Sequence, residues 1–113
     1  MVKKLSLTDN LLEFLYEFSQ GPFEEDVKLQ AKRCLLDYLG VTFAGSHALG
    51  DKLNMLIKQF DRGLSEAPVI GADNRISIES AAYVNGFSSH YLELDDGSRF
   101  GGVHPGAPIF SAL

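Results

Sequence analysis

The segment from Glu24 to Phe43 constrains the fold of this chain more than any other part of the sequence. Acidic residues open it, where the positive end of a helix dipole favours negative charge. Apolar side chains follow at helical spacing in two stripes, one formed by Val27, Ala31, Cys34, Leu35, Tyr38, Leu39 and Thr42 and the other by Leu29, Leu36 and Phe43. A helix that is apolar on two faces normally packs between other helices. The sequence therefore predicts an all-α fold, a helical bundle in which this helix lies between others and is ended by Gly45 and Ser46.

Two shorter helices flank this segment in the sequence. The first has Thr8 as its N-cap and ends before Gly21 and Pro22. The other has apolar residues at helical spacing, namely Leu53, Leu56, Ile57 and Phe60. Beyond it, residues 67–70 are predicted to be extended and residues 71–74 to form a turn.

Small side chains distinguish the fourth predicted helix, which follows the N-cap Ser77. They are Ala81, Ala82, Asn85, Gly86, Ser88 and Ser89. Gly inside a helix costs about 1 kcal/mol relative to Ala, so Gly86 indicates that another backbone or a ligand approaches closely. A last helix has Pro105 as its first residue, with His104 before it, and reaches Leu113 after about two turns.

The short last helix and the long second helix both need packing partners. A helix of about two turns is marginal in isolation, and the second helix needs more partners than the other predicted helices readily supply. We therefore expect residues 1–113 to be the N-terminal portion of one larger helical domain. The alternative is a small protein whose terminal turn docks on its own core.

Composition excludes several classes of function. The chain has 10 basic and 15 acidic residues, a formal charge of −5, which disfavours nucleic-acid binding. No apolar run reaches the roughly 18 residues of a membrane span, and Thr8, Asp9 and Asn10 interrupt any apolar segment of a signal peptide. A single cysteine, Cys34, cannot form an internal disulfide, so we expect a cytoplasmic protein.

Candidate catalytic residues concentrate between His90 and Pro108. His90 precedes Glu93 by three residues, so both are predicted to share a helix face. Asp95 and Asp96 follow. A glycine-rich loop comes next, formed by Gly97, Ser98, Arg99, Phe100, Gly101, Gly102 and Val103. It leads to His104 and a helix N-terminus, where backbone amides favour anions. Arg99 adds a charge suited to carboxylates. A neutral His104 beside these groups could take a proton from carbon next to a carboxylate or pass one to a leaving hydroxyl.

Each of these residues also has a simpler interpretation. His90 could only pair with Glu93, the aspartates could end a helix in solvent, His104 could be an N-cap, and Arg99 a surface charge. His90, Asp95 or Asp96, and His104 could also ligate a metal, but their spacing matches neither an EF-hand nor an H-E-x-x-H helix, so no metal is predicted. Nucleotide-binding glycine motifs are absent from the sequence. Cys34 is interpreted as a core residue and His47 as a surface or capping residue.

The order of several short motifs resembles the N-terminal part of the MmgE/PrpD family. The motifs are Cys-Leu-Leu-Asp-Tyr-Leu-Gly-Val (residues 34–41), Pro-Val-Ile-Gly (68–71), Ala-Ala-Tyr-Val-Asn-Gly-Phe-Ser-Ser-His (81–90), Leu-Asp-Asp-Gly (94–97) and His-Pro-Gly (104–106). The resemblance runs from the first helix to Leu113. The family includes 2-methylcitrate dehydratase, cis-aconitate decarboxylase and iminodisuccinate epimerase.

The resemblance implies chemistry on small di- or tricarboxylates in a mainly helical domain. It implies general acid/base catalysis without a cofactor, in a homodimer. His104 matches the family's active-site His of the His-Pro pair, Asp95 and Asp96 match its Asp pair, and Glu93 stands where the family usually has Asp. Ser98 falls where many members have His or another polar residue. His90, Ser98, Arg99 and Gly102 are the expected substrate-binding residues.

Three hypotheses about function follow. The first is the N-terminal portion of a hydro-lyase like 2-methylcitrate dehydratase, an enzyme of propionate metabolism. The second is a member of the same family with epimerase or decarboxylase chemistry. Ser98, and Glu93 with a side chain one methylene longer than the usual Asp, are compatible with it. The third is a non-catalytic fragment or interaction module, because we would not expect turnover from these 113 residues alone.

Overall fold

A computed structural model describes residues 6–113 of the chain, which fold into five helices and one small sheet. The elements are α1 (Leu7–Ser19), α2 (Glu25–Leu49), α3 (Asp51–Phe60), β1 (Ala67–Pro68), β2 (Arg75–Ile76), α4 (Ile78–His90) and α5 (Gly106–Ala112). The all-α prediction is therefore confirmed. None of the helices that the structure describes is long and apolar enough to cross a membrane.

The chain divides into two compact units, and the first extends to Ala31. It contains α1, whose N-cap is Ser6 rather than the predicted Thr8. The side chain of Ser6 accepts from the backbone N–H of Asp9, and the carboxylate of Asp9 accepts from the backbone N–H of Ser6. This reciprocal capping box satisfies two amides that the helix cannot pair by itself.

Aromatic contacts follow along the same unit. The rings of Phe14 and Phe18 stack with centroids 5.8 Å apart, and Phe23 tilts against Phe18 at 5.0 Å. Glu25 and Asp26 occupy the first turn of α2, where the helix dipole favours negative charge. The predicted acidic start of the long helix is thus confirmed.

The second unit, Lys32–Leu113, holds the hydrophobic core. Apolar side chains from the end of α2, from α3, from the hairpin and from α4 meet there: Leu49, Leu53, Ile57, Val69, Ile76, Ala81 and Val84. Gly50 joins α2 to α3 with φ 53° and ψ −126°, a backbone conformation that only Gly adopts readily. This sharp link lets α3 fold back so that Leu53 and Ile57 reach the core.

One prediction about α2 is wrong. The helix does not end at Gly45 and Ser46 but continues to Leu49, and both of those residues are buried in it. The second apolar stripe, formed by Leu29, Leu36 and Phe43, is exposed in the part of the chain that the structure describes, so its packing against other helices stays a prediction. Only the face with Tyr38, Thr42, Gly45, Ser46 and Leu49 is buried.

A short antiparallel hairpin packs beside α4. β1 pairs with β2 in a register that sets Ala67 opposite Ile76. The sequence predicted the extended segment at residues 67–70, of which β1 covers the first part, but not the second strand. Ser77 is the N-cap of α4 as predicted, whereas α5 begins at Gly106, one residue after the predicted Pro105.

Candidate functional site

The loop between α4 and α5 carries most of the predicted site residues and brings its two ends together. α4 ends at His90 and α5 begins at Gly106. The chain leaves α4 through Glu93, whose backbone is left-handed with φ 52°. Residues other than Gly and Asn rarely adopt this backbone conformation. The structure around Glu93 therefore holds the turn in place. The turn directs the following residues back towards the end of α4.

A buried carboxylate joins two imidazoles at this place. The side chain of Asp95 is only 3% exposed, and both of its oxygens lie 2.9 Å from Nδ1 of His90. Nδ1 of His104 lies 3.7 Å from Oδ2 of Asp95. The two imidazoles are about half exposed, with ring centroids 5.1 Å apart and an interplanar angle of 61°. We call His90, Asp95 and His104 the His–Asp–His cluster.

The cluster can move protons or bind a cation. An ionised carboxylate only accepts hydrogen bonds, so beside Asp95 the neutral tautomer of His90 that fits carries its proton on Nδ1 and keeps a lone pair on Nε2. Such a nitrogen can accept a proton from a substrate. Alternatively, one atom from each of the three residues can ligate a metal, since these atoms all lie within 4.8 Å of one another.

Asp96 has a different neighbour from Asp95. Its Oδ1 accepts a hydrogen bond of 2.8 Å from the backbone N–H of Gly106, at the start of α5. A Cβ on Gly106 would lie 2.5 Å from this oxygen, so only Gly permits the contact. Asp96 therefore anchors the loop to α5 in this structure, and its predicted catalytic role stays a prediction.

The glycine-rich part of the loop forms a small hairpin. The backbone N–H of Ser98 donates to the carbonyl of Val103 at 2.8 Å, and the N–H of Gly102 donates to the carbonyl of Ser98 at 2.8 Å. Gly102 has φ 60°, which suits the turn. Arg99 is exposed in this hairpin. Substrate binding by Ser98, Arg99 and Gly102 stays a prediction.

An open cavity of about 480 Å³ lies between α4 and α5, with both imidazoles in its wall. The remaining lining is mostly apolar: Ala82, Tyr83, Gly86, Phe87, Ala107, Pro108, Ser111 and Ala112. A Cβ on Gly86 would lie 3.3 Å from Oγ of Ser111 on α5. The packing reason that Gly86 suggested is thus found on α5, whose Ser111 side chain comes close to this glycine.

The structure separates two residues that the sequence placed on one helix face. α4 ends at His90, so Glu93 lies in the turn beyond it, is exposed, and donates its backbone N–H to the carbonyl of His90 at 3.0 Å. The shared helix face is therefore a wrong prediction, and the carboxylate beside His90 belongs to Asp95. No signal in the sequence indicated this, because the turn is made at Glu93, a residue type that rarely adopts a left-handed backbone. The catalytic role of Glu93 stays a prediction.

Two other candidate residues lie outside this loop. Cys34 is partly buried on α2, consistent with its interpretation as a packing residue. His47 is exposed in the last turn of α2, as predicted for a surface residue. A cationic or polar side chain there suits the negative end of the helix dipole.

Comparison with known proteins identifies the family. The family model of the MmgE/PrpD N-terminal domain matches residues 9–113, which include every residue of the His–Asp–His cluster and the loop around it. Neither the curated proteins nor the solved structures contain a significant match. On the family match, which covers nearly all of the sequence, the chain belongs to the MmgE/PrpD family.

Proposed function

We propose that this chain supplies an acid/base centre for a hydro-lyase that acts on small tricarboxylates, most like 2-methylcitrate dehydratase. The observation that carries the proposal is the His–Asp–His cluster in the wall of the cavity between α4 and α5. Membership of the MmgE/PrpD family supports the reaction class. The proposal needs no cofactor.

The proposed reaction begins with removal of a proton from carbon next to a carboxylate. His104 takes this proton on a ring nitrogen, and Asp95, 3.7 Å from its Nδ1, stabilises the imidazolium that forms. The electrons of the C–H bond form the double bond as the C–O bond breaks. His90 is the nearest second imidazole, and it enters this step as the imidazolium. It donates its Nε2 proton to the departing hydroxyl, so water leaves and the ring becomes neutral with Nδ1–H still on Asp95.

The apolar part of the cavity suits a substrate with a hydrocarbon branch. Ala82, Phe87 and Ala107 offer no charge to a carboxylate, whereas the histidines lie where a polar group would be held. A tricarboxylate that carries a methyl group would therefore present its polar side to the cluster. We further propose a cytoplasmic homodimer acting in propionate metabolism, which rests on the family alone.

The test is a substrate panel on the native polypeptide that contains these residues. With 2-methylcitrate, we expect the loss of one water molecule. The ultraviolet absorbance of the new conjugated double bond and the mass of the product detect this loss. Release of carbon dioxide from cis-aconitate would indicate the decarboxylase alternative, and inversion of a chiral centre the epimerase. In either case the dehydratase proposal fails while the family assignment stands.

Matched histidine variants locate the chemistry. His104→Gln should lower turnover by at least about 100-fold, since general acid/base catalysis contributes 10²–10⁴-fold. His47→Gln changes an exposed histidine on another helix and should leave turnover unchanged. Near-normal turnover of His104→Gln would remove His104 from the mechanism.

Binding by the chain itself separates an acid/base site from a non-catalytic module. The chain has three histidines, so imidazole NMR signals report on two cluster residues and one internal control. Citrate should shift the signals of His90 and His104 and leave that of His47 in place. If citrate shifts none of them, the chain does not bind tricarboxylates, and the interaction-module hypothesis is preferred.

A further inference from the structure

We propose that His90, Asp95 and His104 also form a capture site for one borderline divalent metal ion of the Zn²⁺, Co²⁺ or Ni²⁺ class. The three residues offer one ligand atom each, and these atoms lie within 4.8 Å of one another. The sequence raised His90, Asp95 or Asp96, and His104 as possible ligands but predicted no metal, because their spacing matches neither an EF-hand nor an H-E-x-x-H helix.

The distances require only small movements to admit an ion. Bonds of about 2.0–2.1 Å from Zn²⁺ to imidazole nitrogen set tetrahedral ligands about 3.4 Å apart. The structure has 2.9 Å between Nδ1 of His90 and Oδ1 of Asp95, and 3.7 Å between Nδ1 of His104 and Oδ2 of Asp95. These separations lie on either side of the required value. The ligand atoms of the two imidazoles lie within 4.8 Å of each other, and both rings are about half exposed, so they have room to rotate towards an ion.

The donor set selects the class of metal. Two imidazoles with one carboxylate suit Zn²⁺, Co²⁺ and Ni²⁺, whereas Mg²⁺ and Ca²⁺ prefer sites made of oxygen. The side chain of Asp95 is 3% exposed, and a buried carboxylate attracts a cation more strongly than one in water. Its ion-pair partners among the described residues are the same two imidazoles, so the site contributes a negative charge where the ion would lie.

The exposed side of the cluster provides entry and completes the coordination. His90 and His104 are 51% and 49% exposed, so an ion reaches them from solvent and keeps at least one water. Three protein ligands with an open position are typical of zinc sites that exchange a ligand. The hydrogen bond between His90 and Asp95 holds the carboxylate in place before the ion arrives, which reduces the cost of ordering the site.

This inference does not depend on the proposed catalysis. A bound ion occupies the carboxylate of Asp95 and a nitrogen of each imidazole, so Asp95 can no longer stabilise an imidazolium on His104. Metal capture and proton transfer therefore exclude each other on one molecule. Zn²⁺ binding without dehydratase activity would retain this inference and remove the proposed function. Dehydratase activity without Zn²⁺ binding would do the reverse.

The experiment is calorimetric titration of the tag-free chain with Zn²⁺, together with the visible absorbance of Co²⁺. A Cys34→Ser background removes the thiol as a competing ligand. We expect one ion per chain. His90→Ala and His104→Ala should each weaken binding by at least about 10-fold, the smallest effect expected even for a residue behind a ligand. His47→Ala, which removes an exposed histidine elsewhere, should bind as the parent chain does.

Three results would overturn the proposal. They are absence of one-to-one Zn²⁺ binding, unchanged affinity in both His90→Ala and His104→Ala, and an equal loss in His47→Ala. The test uses the half-exposed imidazoles because replacement of the buried Asp95 risks unfolding. Circular dichroism confirms that each variant remains folded before its affinity is compared.

Discussion

Gly45 lies so close to Ser88 that a side chain on Gly45 would overlap the backbone carbonyl of Ser88. The two residues belong to α2 and α4, which therefore cross in contact at the level of their backbones. Ser88 is fully buried at this crossing. The end of α4, where the His–Asp–His cluster begins, is thus positioned by a contact that only Gly allows.

We predict that Gly45→Ala destabilises the chain by about 1–3 kcal/mol, the usual cost of overpacking a well-packed site. The added methyl group meets backbone, which cannot rotate away as a flexible side chain can. The free energy of unfolding in urea measures the effect. Gly40→Ala is the matched control on the same helix, because a Cβ there meets nothing within 4 Å. It should stabilise the chain by about 0.5–1 kcal/mol, and equal effects of the two variants would contradict the close crossing.

The same glycine shows where sequence-based prediction reaches its limit. Gly45 and Ser46 are residue types that often end a helix, so the sequence predicted an end there. A few neighbouring residues carry only local propensity and say nothing about contacts with distant helices. In the fold Gly45 and Ser46 are buried, and contact with α4 outweighs the propensity cost. Periodicity did predict α3 and its buried residues Leu53 and Ile57, since a strongly amphipathic helix carries its own signal.

Asn85→Asp should make the stability of the chain depend on pH. Oδ1 of Asn85 accepts from the backbone N–H of Ile70 at 2.9 Å, and Nδ2 donates to the carbonyl of Pro68 at 3.1 Å. A protonated Asp can make both bonds, whereas an ionised one faces the Pro68 carbonyl with no donor. Burial and this carbonyl therefore raise the pKa of the new carboxyl in the folded state.

The sign of the pH effect follows from that raised pKa. The Asn85→Asp variant is most stable below the ordinary pKa of Asp, and it loses stability as the pH rises towards the raised folded-state value. At neutral pH we expect a loss of about 1–3 kcal/mol, measured by urea unfolding across pH. Asn54→Asp on the exposed surface of α3 is the control and should show little of this dependence. If the free energy of unfolding of Asn85→Asp does not change with pH, the two hydrogen bonds of Asn85 are contradicted.

The candidate site was predictable in its members but not in its pairing. Resemblance to a family located His90, Asp95 and His104, because the order of motifs can be read from the sequence without a structure. The pairing of His90 with Asp95 depends on the left-handed turn at Glu93, which neither helical periodicity nor residue type predicts.

Ser6→Ala should raise the pKa of Asp9. The backbone N–H of Ser6 and then its hydroxyl hold the pKa of that carboxyl below its ordinary value. Because the pKa is lowered, the support that Asp9 gives to α1 is present above the ordinary Asp pKa and is lost as the pH falls through the lowered one. NMR titration of the Asp9 carboxyl measures the change. Thr8→Ala, at the N-cap that the sequence suggested, should leave the titration as it is. An unchanged pKa in Ser6→Ala would contradict the hydrogen bond from the Ser6 hydroxyl to Asp9.

Gly106→Ala should release Asp96 and loosen the loop that holds the cluster. A Cβ on residue 106 would lie 2.5 Å from Oδ1 and 3.0 Å from Cγ of Asp96, so the carboxylate must leave the backbone N–H that it accepts from. We expect faster hydrogen exchange at the amide of residue 106 and altered NMR signals of His104. Gly97→Ala is the control in the same loop, because its Cβ would approach Cε1 of His104 only to 4.0 Å, an ordinary contact. If the two variants exchange equally fast at residue 106, Asp96 does not anchor the loop, and its predicted part in catalysis becomes the better account of why an acidic residue stands there.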